Sequence, residues 1–360
     1  MARALQLARQ GLYTTQPNPR VGCVLVKDGV VVGEGYHACA GEPHAEVHAL
    51  RQAGEQARGA TAYVTLEPCA HHGRTPPCAD ALIKAGVARV VAAVQDSNPQ
   101  VGGQGLARLQ AVGIATECGV LEAEARALNA GFLRRMAGGL PWVRVKLAMS
   151  LDGRTAMASG ESQWITGPAA RRDVQKLRAQ SGAIITGVGT VLADDPSMTV
   201  RPEDWQDWPE GMAPVQPLRV IVDSQLRMSP AARIVSLPGR TVVVTVSADA
   251  EKRFALEAAG AEVWQQAGER ADLAALLRRL AGLQVNEVLV EAGPTLAAAF
   301  VAAGLIDELI VYQATTLLGS AAKPLLELPL AAMVEQRRLR VLDARAVGSD
   351  WRWTLALAEG

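Results

Sequence analysis

The chain has 360 residues, 49% of them hydrophobic, which is enough for two average domains that each bury a core. Its 36 basic and 36 acidic side chains balance, so the sequence lacks the global basic surface that is typical of nucleic-acid binders. Five cysteines, no signal-peptide pattern and no apolar run of bilayer length argue against a secreted protein or a membrane partner, and predict a cytoplasmic protein.

The first part of the chain predicts helices that pack on a mixed sheet. A helix is predicted over residues 2–11, and strands at 21–26 and 30–35 form a hairpin around Asp28-Gly29, a dipeptide typical of a tight primed turn. The elements predicted next are a helix that opens at Pro43 and carries residues 44–51, a strand at 62–66, a helix at 78–85 and a buried strand at 87–94.

Composition changes partway along the chain. All five histidines lie within residues 37–72, whereas all seven tryptophans lie at or after Trp142. Between these regions, the segment 134–141 ends a helical pattern with two glycines and a proline, which is typical of a junction. The sequence therefore predicts two domains, residues 1–142 and residues 143–360.

The second region also alternates strands and helices, which predicts an α/β fold. The predicted strands are at 143–147, 183–186, 219–222, 241–246, 287–290 and 308–312, and the predicted helices are at 169–180 and 294–303.

Metal-type side chains form a pattern in the first region: His44-Ala45-Glu46 is followed by Glu67-Pro68-Cys69 and then by Cys78. One imidazole and two thiolates give zinc three ligands and leave the fourth position open for water, as a catalytic site requires. Glu46 lies close to this metal without being needed as a ligand, so it is suited to move protons. Cys69 follows a proline after a strand, which predicts that it lies at a helix N-terminus, where the dipole favours the thiolate.

Other interpretations of this pattern remain open. His48 lies one helical turn from His44 and could replace a cysteine as a ligand. His71 or His72 could instead complete a closed structural site, although Glu46 would then have no role. Each ligand, taken alone, could also be a helix cap or an ordinary buried thiol.

Two glycine-rich turns follow predicted strands in the second region. Thr186-Gly187-Val188-Gly189-Thr190 is one, and Glu291-Ala292-Gly293-Pro294 is the other, with Pro294 suited to the first turn of a helix. Such turns let backbone amides approach a pyrophosphate, but neither is a full G-x-G-x-x-G fingerprint, and both could be structural turns.

The metal pattern resembles the cytidine and deoxycytidylate deaminase superfamily, and within it the RibD family of bifunctional riboflavin biosynthesis proteins. The eight residues 70–77 between the cysteines resemble the H-x-G-[KR]-T-P-P insert of RibD, and the segments 18–22, 35–37 and 96–99 match as well. The resemblance implies a cytidine-deaminase-like α/β/α domain with a mixed sheet, and Zn²⁺ held by His44, Cys69 and Cys78 with Glu46 as the proton shuttle. The residues that it implies for the pyrimidine and its ribose phosphate are Asn18, His37, Arg74 and Asn98. From local sequence alone, the two asparagines could be turn residues before prolines, and Arg74 a surface charge.

The second region resembles the RibD reductase, which has a dihydrofolate-reductase-like α/β fold, through the segments 146–154, 162–166, 191–196 and 291–294. The resemblance implies that NADPH contacts Ala148, Trp164, Thr190, Asp194, Ser224, Gly293, Pro294, Thr295, Leu296, Ala297, Ala298 and Ala299. It implies that the substrate faces Ser162, Arg178, Met198, Arg201 and Glu291, with the arginines toward its phosphate. Without the resemblance, Trp164 and Met198 would be interpreted as core residues and Arg178 as a surface charge. Neither an acid for the reduction nor a group that selects the 2′-phosphate of NADPH is identified.

The implied function has two steps that act on a small pyrimidine ribose phosphate. The first is zinc-dependent hydrolytic deamination of 2,5-diamino-6-ribosylamino-4(3H)-pyrimidinone 5′-phosphate, and the second is NADPH-dependent reduction of 5-amino-6-(5-phosphoribosylamino)uracil. The resemblance also implies a homo-oligomer, either a dimer or a tetramer. The alternatives are a nucleic-acid-editing zinc deaminase with a C-terminal binding module, which balanced charge disfavours, and a zinc-stabilised scaffold without catalysis.

Overall fold

The computed structural model describes residues 1–70, 76–99, 101–204, 208 and 213–358. The chain divides into two compact units, Met1–Pro141 and Trp142–Gly360. Among the described helices, none combines the length and apolar character needed to cross a membrane.

The described part of the first unit has a five-stranded mixed sheet with strand order β2-β1-β3-β4-β5. The strands are β1 (Gly22–Lys27), β2 (Val30–Tyr36), β3 (Thr61–Val64), β4 (Arg89–Ala92) and β5 (Ala115–Cys118). The helices are α1 (Ala2–Ala8), α2 (Ala45–Ala53), α3 (Cys78–Ala85), α4 (Gln104–Ala111), α5 (Glu122–Leu128) and α6 (Ala130–Met136), with short 3-10 helices at Arg9–Gly11 and Gly54–Ala57. β1 runs antiparallel to β2 and β3, and β3, β4 and β5 run parallel.

The predicted hairpin between β1 and β2 is confirmed. Asp28 and Gly29 both have positive φ, 51° and 79°, as a type I′ turn requires. Side chains from the sheet and its helices form one core, which includes Leu25, Leu82 and Val90. The sheet therefore provides a rigid base for the loops at the ends of β3 and β4.

The second unit has, in its described part, a nine-stranded sheet with strand order β11-β10-β9-β8-β12-β6-β13-β16-β15, and β14 pairs separately with β7. The strands are β6 (Trp142–Met149), β7 (Arg154–Ala156), β8 (Ala183–Gly187), β9 (Leu218–Val222), β10 (Thr241–Thr245), β11 (Glu262–Gln265), β12 (Glu287–Glu291), β13 (Glu308–Gln313), β14 (Lys323–Pro324), β15 (Leu339–Val347) and β16 (Asp350–Leu357). The helices are α7 (Pro168–Gln180), α8 (Val188–Asp194), α9 (Arg233–Ser236), α10 (Ala250–Ala258), α11 (Leu273–Gly282) and α12 (Pro294–Ala302), with 3-10 helices at Pro202–Asp204 and Met333–Glu335.

From β11 to β13 the strands are parallel, and the hairpin of β16 and β15 closes one edge in antiparallel pairing. β10 and β12 are buried along their whole length, which explains their continuous apolar character. All carboxyl ends of the parallel strands meet at one edge of the sheet, where α/β folds place their ligands.

The six strands predicted for this unit all occur, but one local prediction needs correction. The sequence predicts that residues 188–190 lie in a glycine-rich turn, whereas they form the first turn of α8 because Gly187 ends β8 in an extended conformation and caps the helix.

Gly105 allows the close approach of α4 to the loop that follows β3. A Cβ atom at this position would lie 1.9 Å from the carbonyl oxygen of Pro68, so Gly105→Ala must displace backbone. We expect this substitution to destabilise the first unit by about 1–3 kcal/mol, measured as a lower temperature of its calorimetric transition. Gly282→Ala is the control, because a Cβ atom there meets nothing within 4 Å, and it should stabilise the second unit by roughly 0.5–1 kcal/mol. A Gly105→Ala protein as stable as the original would contradict the steric argument.

Candidate active sites

The three predicted metal ligands meet in the first unit. His44 is the N-cap of α2, Cys78 is the first residue of α3, and Cys69 lies in the loop after β3. The Nδ1 atom of His44 is 3.3 Å from Sγ of Cys78 and 3.7 Å from Sγ of Cys69, and the three ligand atoms lie within 4.8 Å of one another. A tetrahedral zinc ion holds nitrogen and sulfur ligands about 3.5–3.8 Å apart, so these residues fit zinc.

Cys69 lies at a helix N-terminus, although the helix does not begin at Cys69 itself. Residues 68–70, 76 and 77 are irregular, and α3 begins at Cys78. Sγ of Cys69 nevertheless accepts a hydrogen bond from the backbone N–H of Cys78, at 3.3 Å, so the sulfur lies at the N-terminus of α3 in space. Hydrogen bonds from the Cys78 thiol and from His44 lower the pKa of Cys69, which favours the thiolate that a metal needs.

Glu46 lies beside these ligands in the first turn of α2. Its side chain is buried, and its Oε2 atom has no hydrogen-bond partner among the described residues. Burial, together with the nearby charge of Cys69, raises the pKa of Glu46 to about 7. A carboxyl group with one uncommitted oxygen and a pKa near neutrality can both accept and return a proton.

The alternative ligands stand apart from this cluster or outside the described chain. The grouping of potential metal ligands in the described residues contains His44, Cys69 and Cys78, and His48 is not part of it. The Nε2 atom of His48 is buried and makes no hydrogen bond to the described residues. His71 and His72, which could complete a closed site, lie outside the described residues.

Two predicted substrate residues lie close to the ligands. Nδ2 of Asn18 is 3.0 Å from Nε2 of His37, and Nδ1 of His37 is 3.2 Å from the carbonyl oxygen of Pro43. His37 therefore donates from Nδ1 and accepts at Nε2, and burial lowers its pKa, so the ring is neutral. The rings of His37 and His44 meet edge to face, with centroids 5.3 Å apart.

The other two predicted substrate residues cannot both be placed. Asn98 lies in the loop after β4, where its backbone N–H donates to Oδ1 of Asp96 at 2.8 Å. Arg74 lies outside the described residues.

Glu67 has a structural role that the sequence did not reveal. Its buried carboxylate accepts four backbone N–H groups, from Asp96 (3.1 Å), Gly103 (2.8 Å), Gly105 (2.9 Å) and Leu106 (3.2 Å). These donors flank Asn98 along the chain, so Glu67 fastens the Asn98 loop next to Cys69. The only signal in the sequence is an acidic residue at the end of an apolar strand, directly before Pro68.

In the second unit, three predicted substrate residues meet at a buried ion pair. Arg178 donates to both carboxylate oxygens of Glu291, at 2.6 and 2.9 Å, and to the carbonyl oxygen of Thr199 at 3.1 Å. Sδ of Met198 lies 4.0 Å from the guanidinium group. Arg201 binds Asp204 at 2.7 Å, and its charge also contributes to lowering the pKa of Glu291.

Lys146 was not among the predicted site residues, yet it is next to Glu291. The two residues are register partners on β6 and β12. Burial lowers the pKa of Lys146, although the charge of Glu291 opposes this effect. Burial alone would raise the pKa of Glu291, but Arg178 and Lys146 outweigh it and leave that pKa below its ordinary value. The site thus contains a carboxylate between two cations.

The predicted cofactor residues follow neighbouring parallel strands. Ala148 lies on β6, Thr190 and Asp194 on α8, Ser224 after β9, and Gly293 to Ala299 at the N-cap and first turns of α12. Oγ of Ser162 donates to Asp194 at 3.2 Å, which joins a predicted substrate residue to a predicted cofactor residue. A Cβ atom at Gly293 would meet nothing within 4 Å, so space for a ligand exists at this helix N-terminus.

Trp164 is 69% exposed, so it is not a core residue. The guanidinium group of Arg171 lies 4.5 Å from the centre of its ring, and both residues line a cavity with Thr166 and Thr315. A flat aromatic face at the rim of a cavity is suited to a ring of a nucleotide cofactor.

Both regions of the chain match known families. Residues 1–94 match the cytidine and deoxycytidylate deaminase zinc-binding region, and residues 141–352 match the RibD C-terminal domain. The riboflavin biosynthesis protein RibD of Escherichia coli is 56% identical, over 97% of this chain and 96% of the relative. RibD of Haemophilus influenzae is 49% identical, over 98% of this chain and 95% of the relative.

Solved structures agree with these matches. RibD of Acinetobacter baumannii superposes with a TM-score of 0.92 and 49% identity, covering 99% of this chain and 98% of that one. A diaminohydroxyphosphoribosylaminopyrimidine deaminase/5-amino-6-(5-phosphoribosylamino)uracil reductase of Thermotoga maritima gives a TM-score of 0.88 at 33% identity, with coverage of 99% and 97%.

Proposed function

Because the chain belongs to the RibD family, and is therefore a deaminase and reductase of riboflavin biosynthesis, we propose a substrate for each of its two regions. Residues 1–142 deaminate 2,5-diamino-6-ribosylamino-4(3H)-pyrimidinone 5′-phosphate, and residues 143–360 reduce 5-amino-6-(5-phosphoribosylamino)uracil. The predicted folds, cytidine-deaminase-like and dihydrofolate-reductase-like, are confirmed by the family matches. The observation that carries the proposal is the cluster of His44, Cys69 and Cys78 with Glu46 beside it.

In the first reaction, zinc held by His44, Cys69 and Cys78 supplies the Lewis acidity that makes water nucleophilic near neutral pH. Glu46 takes the proton from the attacking water and passes it to the departing amino group, a role for which a buried carboxyl with one uncommitted oxygen is suited. Water and the 2-amino group are consumed, and ammonia and the carbonyl product leave.

The remaining residues of the first site orient the substrate. Asn18 holds the edge of the pyrimidine ring through its side-chain amide, and the neutral His37, whose ring nitrogens bind Asn18 and the carbonyl oxygen of Pro43, keeps this amide in position beside the substrate. Arg74 and Asn98 hold the ribose phosphate, for which an arginine fork is well suited. Glu67 keeps the Asn98 loop in place.

In the second reaction, NADPH supplies the hydride, and the protein contributes binding and orientation. The cofactor residues at the carboxyl ends of the strands bind NADPH, with Trp164 at the edge of the site. Ser162, Arg178, Met198, Arg201 and Glu291 face the substrate, with the two arginines toward its phosphate. The ion pair of Arg178 with Glu291 keeps the guanidinium group in one position during binding.

A coupled assay tests both steps. We expect the protein loaded with zinc to release ammonia from the diamino substrate and then to oxidise NADPH, followed by the loss of its absorbance. Release of no ammonia with zinc bound would reject the first step, and failure to oxidise NADPH with supplied intermediate would reject the second.

Zinc removal should separate the two activities. We expect one zinc per chain by elemental analysis, and removal by a chelator should abolish ammonia release because the nucleophile is no longer activated. The first unit should also unfold at a lower temperature, because the buried Cys78, the half-buried Cys69 and the buried carboxyl of Glu46 then lose the positive charge of the metal. Reduction of supplied intermediate should continue at its original rate, and its loss would contradict the assignment of the metal to the deaminase alone.

We further propose a cytoplasmic homo-oligomer, a dimer or a tetramer, without nucleic-acid or membrane partners. The support is β15, an edge strand of nine residues that is exposed over almost its whole length, including Val341 at 54%. Exposed apolar edge strands are suited to pairing with another copy. Light scattering on the purified chain measures the oligomeric state, and a monomer at micromolar concentration would reject this proposal.

A further inference from the structure

We propose that Arg227 binds the 2′-phosphate of NADPH and thereby makes the reductase select NADPH over NADH. This inference rests on the proposed NADPH-dependent reduction and assigns a residue to a selectivity that no sequence motif explained.

Arg227 lies at the edge of the sheet where the cofactor residues gather. β8, β9 and β10 are parallel neighbours, so their carboxyl ends lie side by side. Thr190 and Asp194 follow β8, and Ser224 follows β9. Arg227 is in the same turn as Ser224, three residues further along the chain.

The turn that presents Arg227 is fixed by hydrogen bonds. Oδ2 of the fully buried Asp223 accepts the backbone N–H of Met228 at 2.8 Å, and the carbonyl oxygen of Asp223 accepts the N–H of Leu226 at 3.2 Å. The side chain of Leu226 is buried, and the hydroxyl of Thr245 donates to the carbonyl oxygen of Ser224 at 3.2 Å. The side chain of Arg227 is 55% exposed, so a rigid turn holds an accessible cation at the strand ends.

The charges in this turn favour a phosphate. In NAD-dependent α/β enzymes, an acidic side chain near a strand end binds the ribose 2′-hydroxyl and would repel a 2′-phosphate. The acid at the end of β9, Asp223, is instead turned inward, with its Oδ2 on a backbone N–H. Arg227 comes no nearer to Oδ1 of Asp223 than 4.0 Å, and it makes no hydrogen bond to the described residues. Its guanidinium fork therefore keeps the donors that a bidentate contact with phosphate needs.

Two other cations near these strand ends have partners. Lys252 of α10 lies 3.4 Å from the carboxylate of Asp249, and Arg253 lies 3.5 Å from the side-chain oxygen of Gln265. Unlike these two, Arg227 has its donors free for a ligand among the described residues.

The test uses two probes that differ by one phosphate. Calorimetric titration of the full chain with adenosine 2′,5′-bisphosphate and with adenosine 5′-monophosphate measures what the 2′-phosphate contributes. In Arg227→Gln, we expect binding of the bisphosphate to weaken by about 10- to 100-fold, and binding of the monophosphate to change less than about twofold. The KM for NADPH should rise by a similar factor, with kcat and the KM for NADH unchanged.

Arg240→Gln is the matched control. Arg240 has a similar side-chain exposure of 58%, but it pairs with Glu262. It directly precedes β10 and therefore lies at the amino ends of the strands, away from the cofactor residues. We expect this variant to bind both probes as the original protein does. The affinity of Arg227→Lys for the bisphosphate should lie between those of the original protein and Arg227→Gln, because lysine keeps the positive charge but cannot make the bidentate contact of a guanidinium group.

The outcomes separate this inference from the proposed function. If the original protein does not oxidise NADPH with supplied intermediate, the proposed reduction is rejected. If it does, but Arg227→Gln weakens both probes equally or neither of them, only the assignment of Arg227 is overturned.

Discussion

Glu46→Gln is expected to lower the rate of ammonia release by about 10²- to 10⁴-fold, the range that removal of a general acid–base group typically causes. Glutamine keeps the shape of the side chain but cannot carry the proton from the water to the departing amine. The carboxyl oxygen Oε2, which has no partner among the described residues, is the atom whose chemistry is lost. Ammonia release under saturating substrate measures the effect.

Three controls isolate the chemistry of Glu46. Zinc content should stay at one per chain, since His44, Cys69 and Cys78 are unchanged, and reduction of supplied intermediate should continue. Glu55→Gln, at an exposed glutamate beyond the same helix, should deaminate normally. A Glu46→Gln protein that retains its rate would show that the proton moves by another route.

Glu291→Gln is expected to destabilise the second unit by about 3–5 kcal/mol and to abolish reduction. The substitution leaves Arg178 and Lys146 buried together without their counter-charge. Calorimetric unfolding of the second unit measures the stability, and NADPH oxidation with supplied intermediate measures the activity. Glu262→Gln is the control. Its ion pair with Arg240 has the same two hydrogen bonds but is exposed, so it should contribute only about 0–1 kcal/mol to the stability of the second unit.

The loss of stability caused by Glu291→Gln should depend on pH. The pKa of Glu291 is lower in the folded protein than in the unfolded chain, so its stabilising contribution is complete above the unfolded value of about 4.3. It is lost as the pH falls through the lower folded value. The stability difference between the two proteins should therefore be constant at neutral pH and shrink in strong acid. A difference that grows as the pH falls would contradict this sign.

The sequence predicts those helices, strands and turns that depend on neighbouring residues alone. Asp28-Gly29 marks the hairpin because few residues accept positive φ, and the alternation of helix and strand indicates the α/β class. α3 has the predicted bounds, Cys78–Ala85, because Pro77 precedes it and Gly86 ends it in a left-handed conformation. The continuous apolar runs of β10 and β12 likewise identify buried strands.

Contacts between distant segments could not be predicted. Pro68 resembles a helix start, but Cys69 instead receives the N–H of a helix that begins at Cys78. The four donors to Glu67 come from residues 96–106, and no local pattern connects them. β15 was not predicted, because Arg340, Asp343 and Arg345 interrupt its apolar residues and remove the continuous apolar run of a buried strand.

Because Glu67 holds the Asn98 loop through four hydrogen bonds, we expect metal binding and substrate binding to be linked equilibria. Because Glu67 and Cys69 are two residues apart, a ligand that immobilises the loop also restrains the sulfur, and by reciprocity the occupied metal site must favour that ligand. A pyrimidine nucleotide should accordingly slow the escape of zinc to a chelator, and metal depletion should weaken the nucleotide by the same factor. We therefore expect the enzyme to lose zinc most slowly while substrate is bound.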